Sequence, residues 1–260
     1  MDYIAITNLS KTFAGKECSV SALQDISLFI SRGEFVCLLG PSGCGKSTLL
    51  NAIAGFIQPS SGEIIVDGQP VREPGPERGV VFQEYAIFPW MTVARNIAFG
   101  LEIKGASAVE IRERVDVLLN TLGLREFRDR FPKDLSGGMR QRVAIARLLA
   151  IDSPVMLMDE PFGALDALTR RTLQDELLRI WRESGKTILF VTHSIEESLY
   201  LANRIVVMTY RPGTIKRNLE VAMAYPRDPA GFEFNELKRE LGQLVMEEQE
   251  RHTHDEMRGK

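Results

Sequence analysis

Short apolar segments alternate with amphipathic helical segments along most of the chain. Runs rich in β-branched and apolar residues predict strands at residues 4–9, 23–30, 35–39, 63–66, 79–82, 155–158, 187–191 and 205–208. A further strand is predicted near residues 215–221, after the turn formed by Tyr210-Arg211-Pro212-Gly213. This alternation is typical of an α/β fold in which crossover helices connect the strands of a parallel or mixed sheet.

The middle of the chain has a different pattern. Between residues 84 and 151 the strand signals stop and helical spacing dominates, including a helix predicted to open with Ser107 and Glu110 at capping-box spacing and to end before Gly123. Because strands resume afterwards, we interpret residues 84–151 as a helical subdomain inserted into a single domain that covers residues 1–260.

The last segment, residues 222–260, is predicted to be a helical extension with a polar tail. Apolar residues from Phe234 to Val245 recur at helical spacing, whereas the sequence past Glu247 is polar. For that tail, with His252 and His254, we expect a solvated, frayed terminus rather than a metal site. Such a helix would pack back on the core.

The composition of the chain argues against several classes of function. The chain has 32 Lys+Arg and 35 Asp+Glu, a formal charge of −3, which argues against binding by neutralisation of nucleic-acid phosphates. No apolar run approaches the roughly 20 residues that span a bilayer, and the N-terminus lacks the pattern of a secretory signal, so a membrane role would require a partner. The three cysteines, Cys18, Cys37 and Cys44, are typical of reduced cytosolic thiols.

A glycine-rich segment follows the predicted strand 35–39 and precedes a helical run. Its residues are Gly40, Pro41, Ser42, Gly43, Cys44, Gly45, Lys46, Ser47 and Thr48. Glycines let the backbone wrap an anion, Lys46 supplies a charge for the β- and γ-phosphates, and the Ser47 hydroxyl can bind Mg²⁺. This pattern predicts a nucleoside triphosphate site; the alternative is a glycine-rich turn without a ligand. Kinases, GTPases and mechanical ATPases all remain possible from this loop alone.

Two carboxylates, Asp159 and Glu160, end an apolar strand. Burying both is costly unless a cation or a proton transfer offsets it, so Asp159 is a candidate for holding Mg²⁺ through water and Glu160 for polarising the attacking water. His193 closes another strand, just before Ser194 and Glu197 in a second capping-box spacing, and is a candidate γ-phosphate contact. The alternatives are solvated carboxylates at a strand end and a structural histidine.

The segment Leu135-Ser136-Gly137-Gly138-Met139 precedes another helical run. Two glycines beside a Ser hydroxyl at a helix start expose backbone amides, which makes a second anion site in the same chain. One nucleotide does not need two anion sites from one sheet. Two chains, however, could place these sites on opposite sides of a nucleotide. An ordinary capped helix is the alternative.

Taken in order, these motifs resemble those of ABC-type ATPases over nearly the whole chain. The resemblance rests on a Walker A loop at residues 40–48, Gln83 as the Q-loop, the signature at residues 135–139, Asp159-Glu160 as Walker B, a D-loop at residues 163–166 and His193 as the switch histidine. It implies a P-loop ABC ATPase core with a mixed sheet plus an inserted α-helical subdomain. ATP with Mg²⁺ would be the substrate.

The resemblance also implies a head-to-tail homodimer, or a dimer of two similar cassettes. Each ATP would lie between the Lys46 loop of one chain and Ser136, Gly137, Gly138 and Asp166 of the other. Gln83 would meet Mg²⁺ and the attacking water. Phe13 would stack on adenine, with a core Phe as the alternative, and Val20 would flank the ribose. Met139 departs from the Gln often found at the fifth signature position, which follows the phosphate-contacting residues.

A single cassette without a membrane domain resembles an importer subunit. Residues 74–79, 84–93, 210–213 and 225–228 resemble the nitrate, sulfonate and taurine importer group. This likeness implies transmembrane permease partners, indirectly a solute-binding protein, no nucleic acid, and a peripheral place on the cytoplasmic face of the membrane. Phe88-Pro89-Trp90 would anchor the permease, with local core packing as the alternative. The competing functions are a soluble ABC ATPase acting on nucleic acid or ribosomes, and a nucleotide sensor without turnover.

Overall fold

The computed structural model describes residues 2–15, 19–83, 85–163 and 165–258, with side chains as far as residue 253. Cys18, Glu84, Ala164 and the side chain of His254 therefore lie outside the described residues. The chain forms two compact units, the first from Met1–Gly75 with Thr187–Lys260 and the second from Pro76–Lys186.

The secondary structure alternates between strands and helices. The strands are β1 (Asp2–Ala14), β2 (Ser19–Ser31), β3 (Phe35–Leu39), β4 (Ser61–Val66), β5 (Gln69–Pro70), β6 (Arg78–Val81), β7 (Val155–Asp159), β8 (Thr187–Thr192), β9 (Arg204–Met208) and β10 (Ile215–Glu220). The helices are α1 (Lys46–Ala54), α2 (Val93–Ile103), α3 (Ala108–Thr121), α4 (Gly137–Ile151), α5 (Ala167–Ser184), α6 (Ile195–Leu201) and α7 (Phe232–Arg258).

In the first unit, an antiparallel sheet has the order β2-β1-β4-β5. Alternate residues of β1 and β2, such as Ile4 and Ile6 in β1 and Leu28 and Ile30 in β2, are buried, because successive side chains of a strand point to opposite faces. Both strands are longer than their hydrophobic patterns predicted, because their polar ends also pair, with Phe13 opposite Val20.

The strand β3 lies between β8 and β9 in the other sheet of this unit. All five of its residues are buried, as expected for a strand covered on both faces. It pairs in parallel with β8 and β9, and β10 pairs antiparallel to β9. The sheet is therefore mixed, which confirms the predicted α/β fold class.

The second unit contains the parallel pair β6 and β7 and four helices. The predicted capping box at the start of α3 is confirmed, with the Ser107 side chain accepting from the Glu110 N–H and the Glu110 carboxylate accepting from the Ser107 N–H. The helix α4 packs against α2 and α3. The limits of the predicted insertion, residues 84–151, and the single domain over residues 1–260 remain predictions.

The frayed tail predicted past Glu247 is wrong, because α7 continues to Arg258. The physical reason is Glu248, which is fully buried and accepts from the Lys216 ammonium at 2.7 Å and from the Tyr210 N–H at 2.9 Å. One turn further, the His252 ring packs edge-on against the Tyr210 ring, with 4.4 Å between the ring centres, so the His252 side chain is half-buried. These contacts extend the helix beyond its apolar pattern.

The same contacts control the ionisation of Glu248. Burial by itself would raise the pKa of this carboxyl, but the hydrogen bonds from Lys216 and the Tyr210 N–H, with the charges of Lys216 and Arg251, hold the pKa below its usual value. Because the folded pKa is depressed, the stabilisation is present above the unfolded pKa and is lost as the pH falls through the folded pKa.

We expect Glu248→Gln to lower the free energy of unfolding by about 2 kcal/mol at pH 7, since the change removes the anionic partner of Lys216. The difference from the wild type should narrow as the pH falls below the usual glutamate pKa of about 4.3 and through the lower pKa of Glu248 in the folded protein. Denaturant titrations at several pH values measure both effects. Glu250→Gln, on an exposed position of the same helix, is the control; equal stability of the two variants at pH 7 would contradict the assignment.

Candidate nucleotide site

The loop from Gly40 to Gly45 joins the buried strand β3 to the helix α1. Two of its glycines, Gly43 with a φ of 77° and Gly45 with a φ of 96°, have left-handed backbone angles that other residues rarely adopt. A Cβ at Gly45 would lie 2.6 Å from Leu23 Cδ2, so the neighbouring strand β2 also requires glycine there. The loop is thus a tight turn pressed against β2.

The Lys46 side chain is buried inside this loop. Its Nζ donates to the carbonyl oxygens of Gly40 and Pro41, both at 2.8 Å, and lies 3.7 Å from Cys44 Sγ. The first N–H groups of α1 have no acceptor within the helix, and Gly45 supplies no capping side chain. The ammonium and the helix N-terminus therefore place positive charge at one point, which favours a phosphate group.

Other side chains of the loop have distinct surroundings. Ser42 and Ser47 are exposed, so the Ser47 hydroxyl on the first turn of α1 is accessible to a metal ion, and Thr48 is half-buried beside it. Cys37 and Cys44 are free thiols, as expected. Burial raises the pKa of Cys44, against the opposing effect of Lys46, so its thiol is neutral at physiological pH.

Phe13 and Val20 lie opposite each other near the ends of β1 and β2. They are 41% and 37% exposed, so Phe13 is not a core residue as the alternative interpretation required. The Lys11 ammonium lies 5.1 Å from the centre of the Phe13 ring. An accessible aromatic face of this kind can stack on a base, and the adenine contact remains a prediction.

His193 lies at the same sheet edge as Gly40. In the parallel pair β3 and β8, Leu39 is in register with Thr192, so the residue that follows each strand emerges at an equivalent position. His193 is exposed there.

The predicted capping box after His193 is only half formed. The Ser194 side chain accepts from the Glu197 N–H at 3.3 Å, but the Glu197 carboxylate accepts from the Thr192 hydroxyl at 2.7 Å. The Ser194 N–H donates to that same hydroxyl at 3.0 Å. The Thr192 side chain therefore replaces the reciprocal bond and fixes the backbone on both sides of His193.

In the second unit, Gln83 and the two carboxylates share one edge. Val81 of β6 is in register with Met158 of β7, which places Gln83 level with Glu160 just beyond the strand ends. Glu160 has a φ of 45°, a left-handed angle that costs a non-glycine residue on the order of 1–3 kcal/mol and is frequent at functional positions. Gly163 donates its N–H to the Glu160 carbonyl at 3.2 Å, which closes a turn under the carboxylates.

The signature residues form the N-terminus of α4. The Ser136 side chain caps the helix by accepting from the Met139 N–H at 3.3 Å. A Cβ at Gly137 would lie 3.3 Å from Tyr85 Oη, and one at Gly138 would lie 3.1 Å from Thr169 Cγ2. Both glycines are therefore packed closely on their inner sides, at a helix end whose first N–H groups are open to an anion.

Asp166 caps the following helix, α5. Its Oδ1 accepts from the Thr169 N–H at 2.9 Å, and this bond lowers the pKa of Asp166. The preceding turn is held by Arg170, whose guanidinium donates to the Phe162 carbonyl at 3.4 Å and to the Leu165 carbonyl at 2.8 Å. Sequence reasoning missed Arg170, because nothing in a helical Arg indicates that it folds back onto the turn before its own helix.

The structure thus brings the candidate residues together in two sets. The first unit holds the phosphate loop with Phe13, Val20 and His193, and the second holds Gln83, Asp159, Glu160, the signature and Asp166. Among the described residues, no three His, Cys, Asp or Glu side chains form a cluster suited to a metal ion. In the same part of the chain, no helix combines the length and the apolar character needed to span a membrane.

Residues 23–163 match the family model described as ABC transporter, and the chain belongs to that family. The uncharacterized ABC transporter ATP-binding protein MJ0412 of Methanocaldococcus jannaschii is 47% identical over 94% of this chain and 92% of its own length. The taurine import ATP-binding protein TauB of Roseobacter denitrificans is 50% identical over 86% of this chain and 84% of its own. The nitrate import ATP-binding protein NrtD of Synechocystis sp. is 48% identical over 92% and 90%.

A solved relative has the same fold. The ATP-binding cassette MJ0796, in a dimeric post-hydrolysis state bound to ADP and Pi, superposes with a TM-score of 0.77 at 33% identity, covering 85% of this chain and 100% of that one. Membership of the family makes this chain an ATP-binding cassette.

We expect Lys46→Ala to weaken ATP binding by about 100-fold or more, because it removes the cation enclosed by the phosphate loop. Equilibrium binding of a fluorescent ATP analogue measures the effect. Lys238→Ala, at a half-buried lysine of α7 that pairs with Glu196, controls for the loss of one positive charge. Wild-type affinity in the Lys46 variant would remove the loop from nucleotide binding.

Proposed function

We propose that the chain is the ATP-hydrolysing, nucleotide-binding subunit of an ABC importer, and that residues 40–48 bind the phosphates. The observation that carries this proposal is the buried Lys46 ammonium, enclosed by the loop between β3 and α1 at the N-terminus of a helix. Family membership and the taurine and nitrate import relatives support the same function.

The residues that would hold Mg²⁺ are Ser47, Gln83 and Asp159. A hydroxyl, a carboxamide and a carboxylate are oxygen donors, which Mg²⁺ prefers, so the donor set fits this ion. When bound, Mg²⁺ would supply positive charge that offsets the negative charge of the phosphate groups during transfer.

Glu160 would act as the general base for hydrolysis. It accepts a proton as the water oxygen bonds to the γ-phosphorus, while the bond from that phosphorus to the oxygen of the ADP leaving group breaks. His193 would contact the γ-phosphate from the edge where β8 ends. The support for Glu160 is its left-handed backbone angle and its half-exposed place at the end of a buried strand.

A second copy of the chain would complete each site. Ser136, Gly137 and Gly138, at the N-terminus of α4, would bind the ATP held by the partner's phosphate loop, with Asp166 beside them. Phe13 would stack on adenine and Val20 would flank the ribose. The dimeric cassette bound to ADP and Pi supports this arrangement, as does the presence of two helix N-termini suited to anions in one chain.

The permease would dock on the segment 88–92. Trp90 is 69% exposed, yet the backbone beneath it is fixed, because the buried Asn96 side chain bonds the Phe88 N–H at 2.8 Å and the carbonyls of Phe88, Met91 and Thr92. The Phe88 ring contacts the Trp90 ring at a tilt, the Phe99 ring edge-on and the Arg147 guanidinium over its face. A rigid, exposed aromatic residue is the usual anchor of a protein interface.

The proposed function implies that the chain works on the cytoplasmic face of the membrane, with a solute-binding protein acting indirectly. The names of the relatives favour nitrate, a sulfonate, taurine or a related small solute as the transported molecule.

We expect Glu160→Gln to lower kcat at least about 100-fold, since general-base catalysis contributes roughly 10²–10⁴ to rates. ATP affinity should stay within about threefold, and ATP should trap a dimer on size-exclusion chromatography. Glu113→Gln, at an exposed position of α3, should behave as the wild type. Undiminished turnover would remove Glu160 from the base role.

We expect Trp90→Ala to weaken assembly with the cognate permease subunits about 30-fold, as for a buried aromatic anchor at the centre of an interface. The hydrolysis rate of the isolated cassette should not change. Reconstitution in detergent with a titration of the cassette measures this. Phe232→Ala, 79% exposed on α7, is the matched control. Stimulation of the ATPase by RNA or DNA, without any by permease, would contradict the importer function.

A further inference from the structure

The turn between β9 and β10, residues 209–214, packs against the outer side of the phosphate loop. A Cβ at Gly213 would lie 2.1 Å from the Cys44 carbonyl oxygen, and one at Gly40 would lie 3.0 Å from the Met208 carbonyl oxygen. Gly213 is held in place by two backbone hydrogen bonds with β2, to the Ala22 carbonyl and from the Gln24 N–H, both at 3.0 Å. The two loops are therefore in backbone contact, with no room for side chains between them.

Arg211 makes a polar contact across this boundary. Its Nε donates to the Gly43 carbonyl at 3.0 Å. Because a peptide group is planar and trans, holding the Gly43 carbonyl toward Arg211 directs the Cys44 N–H to the opposite side. There, the Cys44 N–H lies 3.4 Å from the Pro41 carbonyl, which also accepts from the Lys46 ammonium. Arg211 thus sets the direction of an amide that faces the interior of the phosphate loop.

The turn that carries Arg211 is itself anchored on two sides. Within the turn, the Thr209 hydroxyl accepts from the Thr214 N–H at 2.9 Å and donates to the Pro212 carbonyl at 3.0 Å. From outside, the buried Glu248 of α7 accepts from the Tyr210 N–H at 2.9 Å. Tyr210, the residue next to Arg211, is therefore hydrogen-bonded to the C-terminal helix α7. Two hydrogen bonds, one made by Tyr210 and one by Arg211, link α7 to the phosphate loop.

We propose that Arg211 is a positioning residue for nucleotide binding, acting through the Gly43 carbonyl, and that Glu248 supports it through Tyr210. This inference rests on the proposed function of residues 40–48 as the phosphate site. A loop with a left-handed glycine at its tip loses conformational freedom on binding, so fixing it beforehand lowers that cost. The interaction is the same in the ground state and the transition state, so it affects affinity and leaves kcat unchanged.

The test is Arg211→Ala against Arg217→Ala. Arg217 is an exposed arginine on β10, so both variants lose one positive charge from the same hairpin. For Arg211→Ala, we expect the Kd for ATP and for ADP to rise about three- to tenfold, as for the loss of one ordinary hydrogen bond, with kcat at saturating ATP within about twofold. Arg217→Ala should match the wild type. Equal Kd values for both variants would overturn the proposal.

A second measurement needs no nucleotide. Amide hydrogen exchange of the peptide containing residues 40–48 should be faster in Arg211→Ala, and faster to a smaller extent in Glu248→Ala, but unchanged in Arg217→Ala. The exchange rate depends on the Arg211 contact and not on where ATP binds. If Lys46→Ala shows that ATP binds elsewhere, the exchange result still tests that contact, so the two proposals can fail separately. Unchanged exchange in Arg211→Ala would show that the contact does not order the loop.

Arg211→Lys tests the planar guanidinium donor at constant charge, and serves if the alanine variant does not fold. Lysine keeps the charge and can donate hydrogen bonds, but it lacks the planar Nε–H donor that faces Gly43. We expect the same rise in Kd and the same faster exchange as in Arg211→Ala. Wild-type values in Arg211→Lys would show that the Nε–H bond to Gly43 is not required, which contradicts the positioning role.

Discussion

The buried ammonium of Lys46 is the constraint on which the candidate site depends. A cation removed from water is costly unless polar groups surround it. Here two of those groups are the neutral carbonyls of Gly40 and Pro41, which stabilise the ammonium without cancelling its charge. The loop interior therefore keeps a full positive charge next to the N-terminus of α1, and both favour a ligand carrying several negative charges.

Enclosing the Lys46 ammonium requires one backbone segment to approach another closely. This requirement determines how the surrounding elements pack against the loop. Leu23 of β2 presses on Gly45, while Gly213 presses on the Cys44 carbonyl. Each contact would be impossible with a Cβ at the glycine. The antiparallel sheet and the β9–β10 turn thus do more than cover the core: they hold the loop from outside while Lys46 holds it from inside. Interiors packed at this density transmit small displacements instead of absorbing them.

Local sequence patterns predicted some features of the structure correctly, whereas contacts with residues elsewhere in the fold determined others. Ser107 and Glu110 form the capping box that their spacing indicates, and β3 is buried as its apolar run requires. The same spacing at Ser194 and Glu197 predicted a box that is only half present, because the Thr192 hydroxyl competes for the carboxylate. Past Glu247 the pattern is polar, yet the helix continues, since Glu248 pairs with Lys216 on a strand far away in sequence. Pairings of this kind, like Arg211 with Gly43, depend on the tertiary fold and leave no periodic signal.

The second unit stores its backbone strain beside the residues assigned to chemistry. Tyr85, Ala86 and Glu160 all have left-handed angles, each costing on the order of 1–3 kcal/mol, so neighbouring contacts must hold them. Arg147 of α4 donates to the Ala86 carbonyl and stacks on Phe88, while Tyr85 lies against Gly137 at the start of the same helix. The residues 85–88, just before the exposed Trp90, therefore contact the helix whose N-terminus carries the signature glycines. Within this unit, a displacement of the segment 85–90 would therefore have to break these contacts or move α4 with it.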